Sequence, residues 1–116
     1  NGVIMGFEMT SIEFNKDLKN LSKKYRTLNN DLAEFKKILK KFPEGIGKHF
    51  NTITKVDFVY IIKARFFCKS LKKKDLRIIY AYIKNHQAIE FIELYFKGNK
   101  ENEDHERIKE YLESFS

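Results

Sequence analysis

Lys63 and Arg65 stand two residues apart inside an apolar run, and Arg77 opens the next such run. On an extended chain, side chains two apart project from one face, so these two cations share a side with Val59, Ile61 and Phe67. A cation set among apolar groups must find a partner or open onto solvent. If the following strand pairs back across the connection, Arg77 comes beside them. Three cations meeting on a sheet face form a phosphate cradle, in which Arg supplies a bidentate fork and Lys a point charge. The plainer alternative is a solvated face whose stems lie along apolar surface with their heads in water. The residue pattern leaves both open.

The surrounding charge is uneven. Between residues 63 and 77 the cations are Lys63, Arg65, Lys69, Lys72, Lys73, Lys74 and Arg77, against Asp75 alone. Between 101 and 113 the balance reverses, with Glu101, Glu103, Asp104, Glu106, Glu110 and Glu113 against Arg107 and Lys109. One face, rather than the whole surface, should therefore attract an anion. The formal charge of +7 raises the local concentration of polyanions such as RNA, DNA or anionic membrane. Lys69, Lys72, Lys73, Lys74, Lys97 and Lys100 are the candidate contacts to a nucleic-acid backbone. His105 is the nearest candidate for proton transfer, or else an exposed residue at a helix start. Lys23, Lys24, Lys36, Lys37, Lys40 and Lys41 read as a solvated helix face or a supplementary RNA contact. Tyr60, Tyr80, Tyr82 and Tyr95 either stack on bases or fill the sheet faces.

Other chemistries find no footing. His49, His86 and His105 are scattered without ligand spacing, so no metal and no cofactor is expected. Gly45 and Gly47 follow a helical pattern instead of a strand, the wrong context for a phosphate loop. No serine-nucleophile motif occurs. The single Cys68 excludes an internal disulfide and reads as a buried small hydrophobe in a reducing cytosol. No apolar run approaches the length of a membrane span. Val3 to Phe7 is too short for a signal peptide and lacks a basic start. Asn1 opens the chain, so residues 1–6 read as a tag remnant or disordered start, with Met5 or Met9 as native start.

The elements that must position these residues are legible in outline. A chain of 116 residues with eleven Phe, six Tyr, one Pro and five Gly fits one domain, taken as residues 7–116. Residues 7–14 alternate apolar and polar side chains and predict a strand. Leu18, Leu21 and Tyr25, then Leu28, Leu32, Phe35 and Leu39, follow helical steps and predict a hairpin of two helices. Asn15 and Thr27 are the expected caps. Pro43 and Gly45 end the second helix, and residues 43–55 read as a loop. Val56 to Phe67 reads as one extended run, followed after the basic hinge by runs 76–83 and 88–96, which favours an antiparallel meander. Ile108, Tyr111 and Leu112 mark a last amphipathic helix. The expected fold class is α+β, in the order β-α-α-β-β-β-α, with a helical hairpin on a small, mainly antiparallel sheet.

Four segments in this order resemble the RelE/ParE toxin superfamily, and its RelE/HigB-like members most. Phe14-Asn15-Lys16-Asp17-Leu18-Lys19-Asn20-Leu21 resembles the family's opening F-x-K-D-L-K-x-L. Tyr60-Ile61-Ile62-Lys63-Ala64-Arg65 is similar to its basic strand, Leu76-Arg77-Ile78-Ile79-Tyr80 to its F/Y-R-V-I-Y strand, and Tyr95-Phe96-Lys97-Gly98-Asn99-Lys100-Glu101 to the end of its last strand. The resemblance covers about residues 8–113. It implies a cytoplasmic bacterial toxin of a type II toxin–antitoxin system, a metal-independent endoribonuclease that cuts mRNA on the ribosome and so inhibits translation. Its partners would be mRNA, ribosomal RNA and a cognate antitoxin protein. By position, Lys63, Arg65 and Arg77 match the family's cationic site residues, with Arg77 stabilising the transition state and Arg65 orienting phosphate. Lys63 would act as base only if crowded cations and burial lowered its pKa. The family's C-terminal catalytic residue has no clear match, His105 being nearest, and the lysines at 72–74 replace the glycine and serine of many relatives. A ParE-like gyrase-binding toxin and a catalytically degenerate RNA-binding relative are the alternatives that the same fold would carry.

Overall fold

The computed structural model describes residues 7–71 and 76–115. Residues 1–6 therefore lie outside the described residues, as do Lys72, Lys73 and Lys74. The chain is α+β, with three α-helices and a five-stranded, mostly antiparallel sheet. Its elements are β1 (Phe7–Thr10), α1 (Ile12–Ser22), α2 (Leu28–Lys41), β2 (Phe50–Val56), β3 (Val59–Phe66), β4 (Leu76–Ile83), β5 (Ala88–Phe96) and α3 (His105–Glu113). A short 3-10 turn, Lys84–His86, links β4 to β5. The sheet order is β1-β5-β4-β3-β2, antiparallel throughout except for the parallel pairing of β1 with β5.

The expected order lacked one strand. Residues 50–56 form β2, where a loop was expected, so the order is β-α-α-β-β-β-β-α. The run from Val56 onward breaks at Asp57 and Phe58, which turn β2 back onto β3, with Val56 opposite Val59. Asp57 takes the turn with φ +52°, a left-handed conformation that Asp tolerates better than most residues. As an edge strand, β2 keeps Asn51, Thr52 and Lys55 in water, and a bulge between Thr52 and Thr54 interrupts its alternation. Such a strand carries little apolar signal. The first strand is also shorter than expected. Ser11, not Asn15, caps α1, its Oγ accepting from the Phe14 amide at 3.0 Å. Thr27 does precede α2, but its hydroxyl donates to Asp31 Oδ2 at 2.8 Å instead of capping the helix backbone.

Two cores sandwich the sheet. On one side Leu28, Leu32, Phe35 and Leu39 of α2 and Phe14 of α1 bury against Ile62, Phe66, Ile78, Tyr80 and Phe91. Phe35 meets Phe66 and Tyr80 edge-on and stacks on Phe50. Gly45 turns the chain beneath that stack with φ +89°, and a Cβ there would meet the Phe50 ring. On the other side Ile108 of α3 covers Ile61, Ile79, Ala81, Ile83 and Ile92. β3, β4 and β5 are thus covered on both faces. Among the described residues, no helix is long and apolar enough to cross a membrane.

Candidate functional site

Strand register assembles the cations. Arg65 on β3 stands directly opposite Arg77 on β4, and Arg77 directly opposite Tyr95 on β5. The adjacent row runs Asn51, Lys63, Ile79, Glu93. Directly opposed residues share a face, so Lys63, Arg65 and Arg77 all lie on the α3 side of the sheet. Opposed side chains start about 5 Å apart at Cβ, and like charges so placed disfavour strand pairing. Arg77 is half-buried, with Nη1 3.5 Å from the Leu76 carbonyl oxygen. Arg65 is exposed, its guanidinium 5.4 Å from the centre of the Phe67 ring.

Lys63 is engaged from the far end of the chain. Its ammonium donates to Glu103 Oε1 at 2.9 Å, while Glu103 Oε2 lies 3.2 Å from His105 Nε2. The Tyr95 hydroxyl sits buried beside Lys63. Burial alone would lower the Lys63 pKa, but the Glu103 hydrogen bond and the neighbouring Tyr95 and Glu103 raise it above its ordinary 10.5. Lys63 is thereby held protonated, and the condition under which it would serve as a base is not met. Burial would raise Glu103, yet the hydrogen bond from Lys63 brings it below its ordinary 4.5. Burial likewise raises Tyr95, against the charge of Lys63.

These shifts fix a pH window for stability. The lowered Glu103 contributes stability present above 4.5 and lost as pH falls through its folded value. The raised Lys63 contributes stability present below 10.5 and lost as pH rises through its folded value. The pair should stabilise the fold between those limits, and Glu103→Gln should flatten both edges. Urea unfolding of wild type and variant across pH, followed by circular dichroism, checks this.

A second carboxylate positions the first. Glu93 is 1% exposed; one oxygen accepts from Lys100 Nζ and the other from the Asp104 amide at 2.8 Å. Asp104 in turn caps α3, accepting from the Arg107 amide at 3.0 Å. Arg107 Nη1 donates to Asp17 Oδ2 at 2.8 Å and to the Ile92 carbonyl at 2.9 Å, and Asp17 also accepts from the Leu94 amide. The segment between β5 and α3 is thus braced from α1, β5 and α3, and Glu103 arrives over Lys63. Beside it a cavity of about 530 Å³ opens between β2 and α3, lined by Ile53, Thr54, Glu103, His105, Ile108 and Leu112 among others. Its size is that of small-ligand sites.

The remaining candidates scatter. Lys69 is exposed, its backbone amide held by Asp31 Oδ2 at 2.9 Å. Lys97 is exposed at the turn after β5, and Lys100 spends its charge on Glu93. His105, the exception, stays at the site through Glu103 but is 74% exposed at the start of α3. Among the helix lysines Lys36 is half-buried, paired with Glu8 at 3.3 Å and lying over the Phe91 ring. Tyr80, Tyr82 and Tyr95 are buried; Tyr60 is half-buried between Lys55 and Lys84.

Glu103 and Glu93 escaped the sequence reading, whereas Tyr95 fills a sheet face, one of its two expected places. A carboxylate between Ile92 and Leu94 in a buried strand is a usable signal for Glu93. Glu103 offered none, because its partner lies forty residues away on another element. Among the described residues, no group of three His, Cys, Asp or Glu could hold a metal ion. No protein-family model, curated protein or solved structure matches this chain.

Proposed function

We propose that the chain is a RelE/HigB-like toxin of a type II toxin–antitoxin pair, an endoribonuclease that cleaves mRNA on the ribosome without a metal. One observation carries the reading: Lys63, Arg65 and Arg77 share a sheet face in adjoining rows, next to the buried hydroxyl of Tyr95. The helical hairpin, the β3-β4-β5 meander and the final helix are in keeping with the family resemblance, to which β2 is an addition.

In this reading Arg77 and Arg65 grip the non-bridging phosphate oxygens through their forks, and Lys63 joins them only where the phosphate displaces Glu103, which holds its ammonium at 2.9 Å. The ribose 2′-oxygen attacks the adjacent phosphorus, the bond to the 5′-oxygen breaks, and a cyclic phosphate and a 5′-hydroxyl remain. The reaction requires a proton acceptor, stabilisation of the phosphorane charge and a donor for the leaving oxygen. A cognate antitoxin would inhibit by covering or neutralising the cationic face.

Induction of the chain in bacteria should arrest growth and create new 5′-hydroxyl ends inside translated reading frames. Mapping mRNA 5′ ends checks this, and the double variant Lys63→Ala with Arg77→Ala should create none. Arrest that survives both substitutions would overturn the reading.

A further inference from the structure

We infer that Phe67 is a stacking platform for an RNA base beside the phosphate held by Arg65 and Arg77, in a pocket that favours bases carrying an amino group. The inference rests on the nuclease reading above. It starts from a second cavity, of about 360 Å³, where α2 meets the start of β2 and the end of β3. One face of α2 forms a wall, because Asp31, Glu34, Phe35 and Ile38 recur at helical steps and all line it. Phe50 and Phe66 line it from the sheet, and Arg65, Phe67 and Lys69 from the chain leaving β3. The volume is that of a small-ligand site.

Three large apolar side chains around this cavity stand in water: Ile38 is 42% exposed, Ile46 53% and Phe67 58%. Apolar residues scattered singly over a surface are ordinary, but a group of them rimmed by charge marks a surface that something covers. The charges indicate what. The Arg65 guanidinium lies 5.4 Å from the centre of the Phe67 ring, and the His49 ring meets Phe67 edge-on at 5.5 Å. An exposed aromatic ring with a guanidinium beside it is a surface on which unpaired RNA bases stack. Arg65 also stands directly opposite Arg77 across the β3–β4 pairing. The cavity therefore shares a residue with the phosphate grip, and a base on the gripped strand meets Phe67 while its backbone stays on the arginines.

The carboxylates set the preference. Asp31 and Glu34 line the cavity and only accept hydrogen bonds. Asp31 is 6% exposed, and its Oδ2 accepts from the Thr27 hydroxyl at 2.8 Å and the Lys69 amide at 2.9 Å. That carboxylate is held in place before a ligand arrives. Cytosine presents an amino group where uracil presents a carbonyl oxygen, which a carboxylate repels. An apolar occupant would cost the carboxylates and Arg65 their water. A nucleotide brings amino hydrogens to the first and phosphate oxygens to the second.

Binding of 2′-O-methyl RNA hexamers to the full chain tests the site, since these carry bases but cannot be cut through the 2′-oxygen. Fluorescence anisotropy at one salt concentration should show the cytosine hexamer bound about fivefold or more tighter than an abasic hexamer, the gain expected from aromatic stacking. The uracil hexamer should fall between them, and Glu34→Gln should narrow the gap between cytosine and uracil. Phe67→Leu should lose most of the cytosine margin and Phe67→Tyr should keep it, with urea midpoints near wild type showing that both fold. A margin that survives Phe67→Leu overturns the inference. So does a wild-type chain that binds all three hexamers alike, and the apolar rim then serves a protein partner. Equal affinity for cytosine and uracil overturns the preference. The nuclease reading fails separately. A chain that leaves mRNA on ribosomes intact but keeps the Phe67-dependent margin loses the cleavage and retains the base site. A chain whose Phe67→Leu variant cuts mRNA at the same positions and rate loses the base site and retains the cleavage.

Discussion

Under the proposed nuclease function, Arg77→Gln is expected to slow mRNA cleavage roughly 10²–10³-fold, the usual cost of removing one donor from a developing oxyanion. Stability should meanwhile change by no more than about 1 kcal/mol. The contrast follows from where Arg77 sits. It opposes Arg65 directly across the β3–β4 pairing, an arrangement in which like charges work against the sheet. Gln keeps much of the stem that covers the sheet and removes the repulsion, and the contacts of a partly exposed cation contribute little to stability. A phosphate entering between the two guanidiniums would turn that repulsion into joint attraction. Arg77→Lys should restore only part of the rate, because an ammonium keeps the charge but not the planar fork. Single-turnover cleavage and urea unfolding of the same preparations decide the matter. A stability loss large enough to account for the lost activity would make Arg77 a structural residue.

The fold is most legible in the residues where periodicity and burial coincide. Leu28, Leu32, Phe35 and Leu39 recur at helical steps and are all buried on α2. The alternation along Val59–Phe66 gave the correct two faces, since side chains on a strand cannot choose sides independently. That constraint is also why Lys63 and Arg65 could be put on one face in advance, and why only pairing across the hinge was needed to add Arg77. Local chemistry misled at the ends of elements. Phe14 continues the alternating pattern of β1 but belongs to α1, where it packs on Phe91 with ring centres 5.4 Å apart. β2 was missed because its exposed polar residues resemble a loop, and only its pairing with β3 makes it a strand. The charge contrast between the basic strands and the acidic tail was visible as a tendency of faces. Its atomic form, Glu103 seated on Lys63, depends on a docked segment that no local pattern encodes.

That docking can be broken from one side. Lys100→Met should cost about 2–3 kcal/mol, somewhat less than the loss of one partner from a fully buried ion pair, because Lys100 is itself 40% exposed. The cost lies with the residue left behind. Glu93 is almost wholly enclosed, and without the ammonium its carboxylate keeps only the Asp104 amide as a donor among the contacts described. Glu93→Gln in the same chain removes the stranded charge, so the double variant should recover more than half of the lost stability, a coupling that a double-mutant cycle measures directly. Urea midpoints should shift with the slope unchanged if the native surface stays the same. The segment from Gly98 to Asp104 carries Glu103 and the α3 cap, so cleavage should fall together with stability in Lys100→Met and return with it in the double variant. Had Lys100 served mainly as an RNA contact, its loss would weaken RNA binding at unchanged stability, and Glu93→Gln would repair nothing. The structure favours the brace: a lysine whose charge offsets a buried carboxylate has little left for a polyanion.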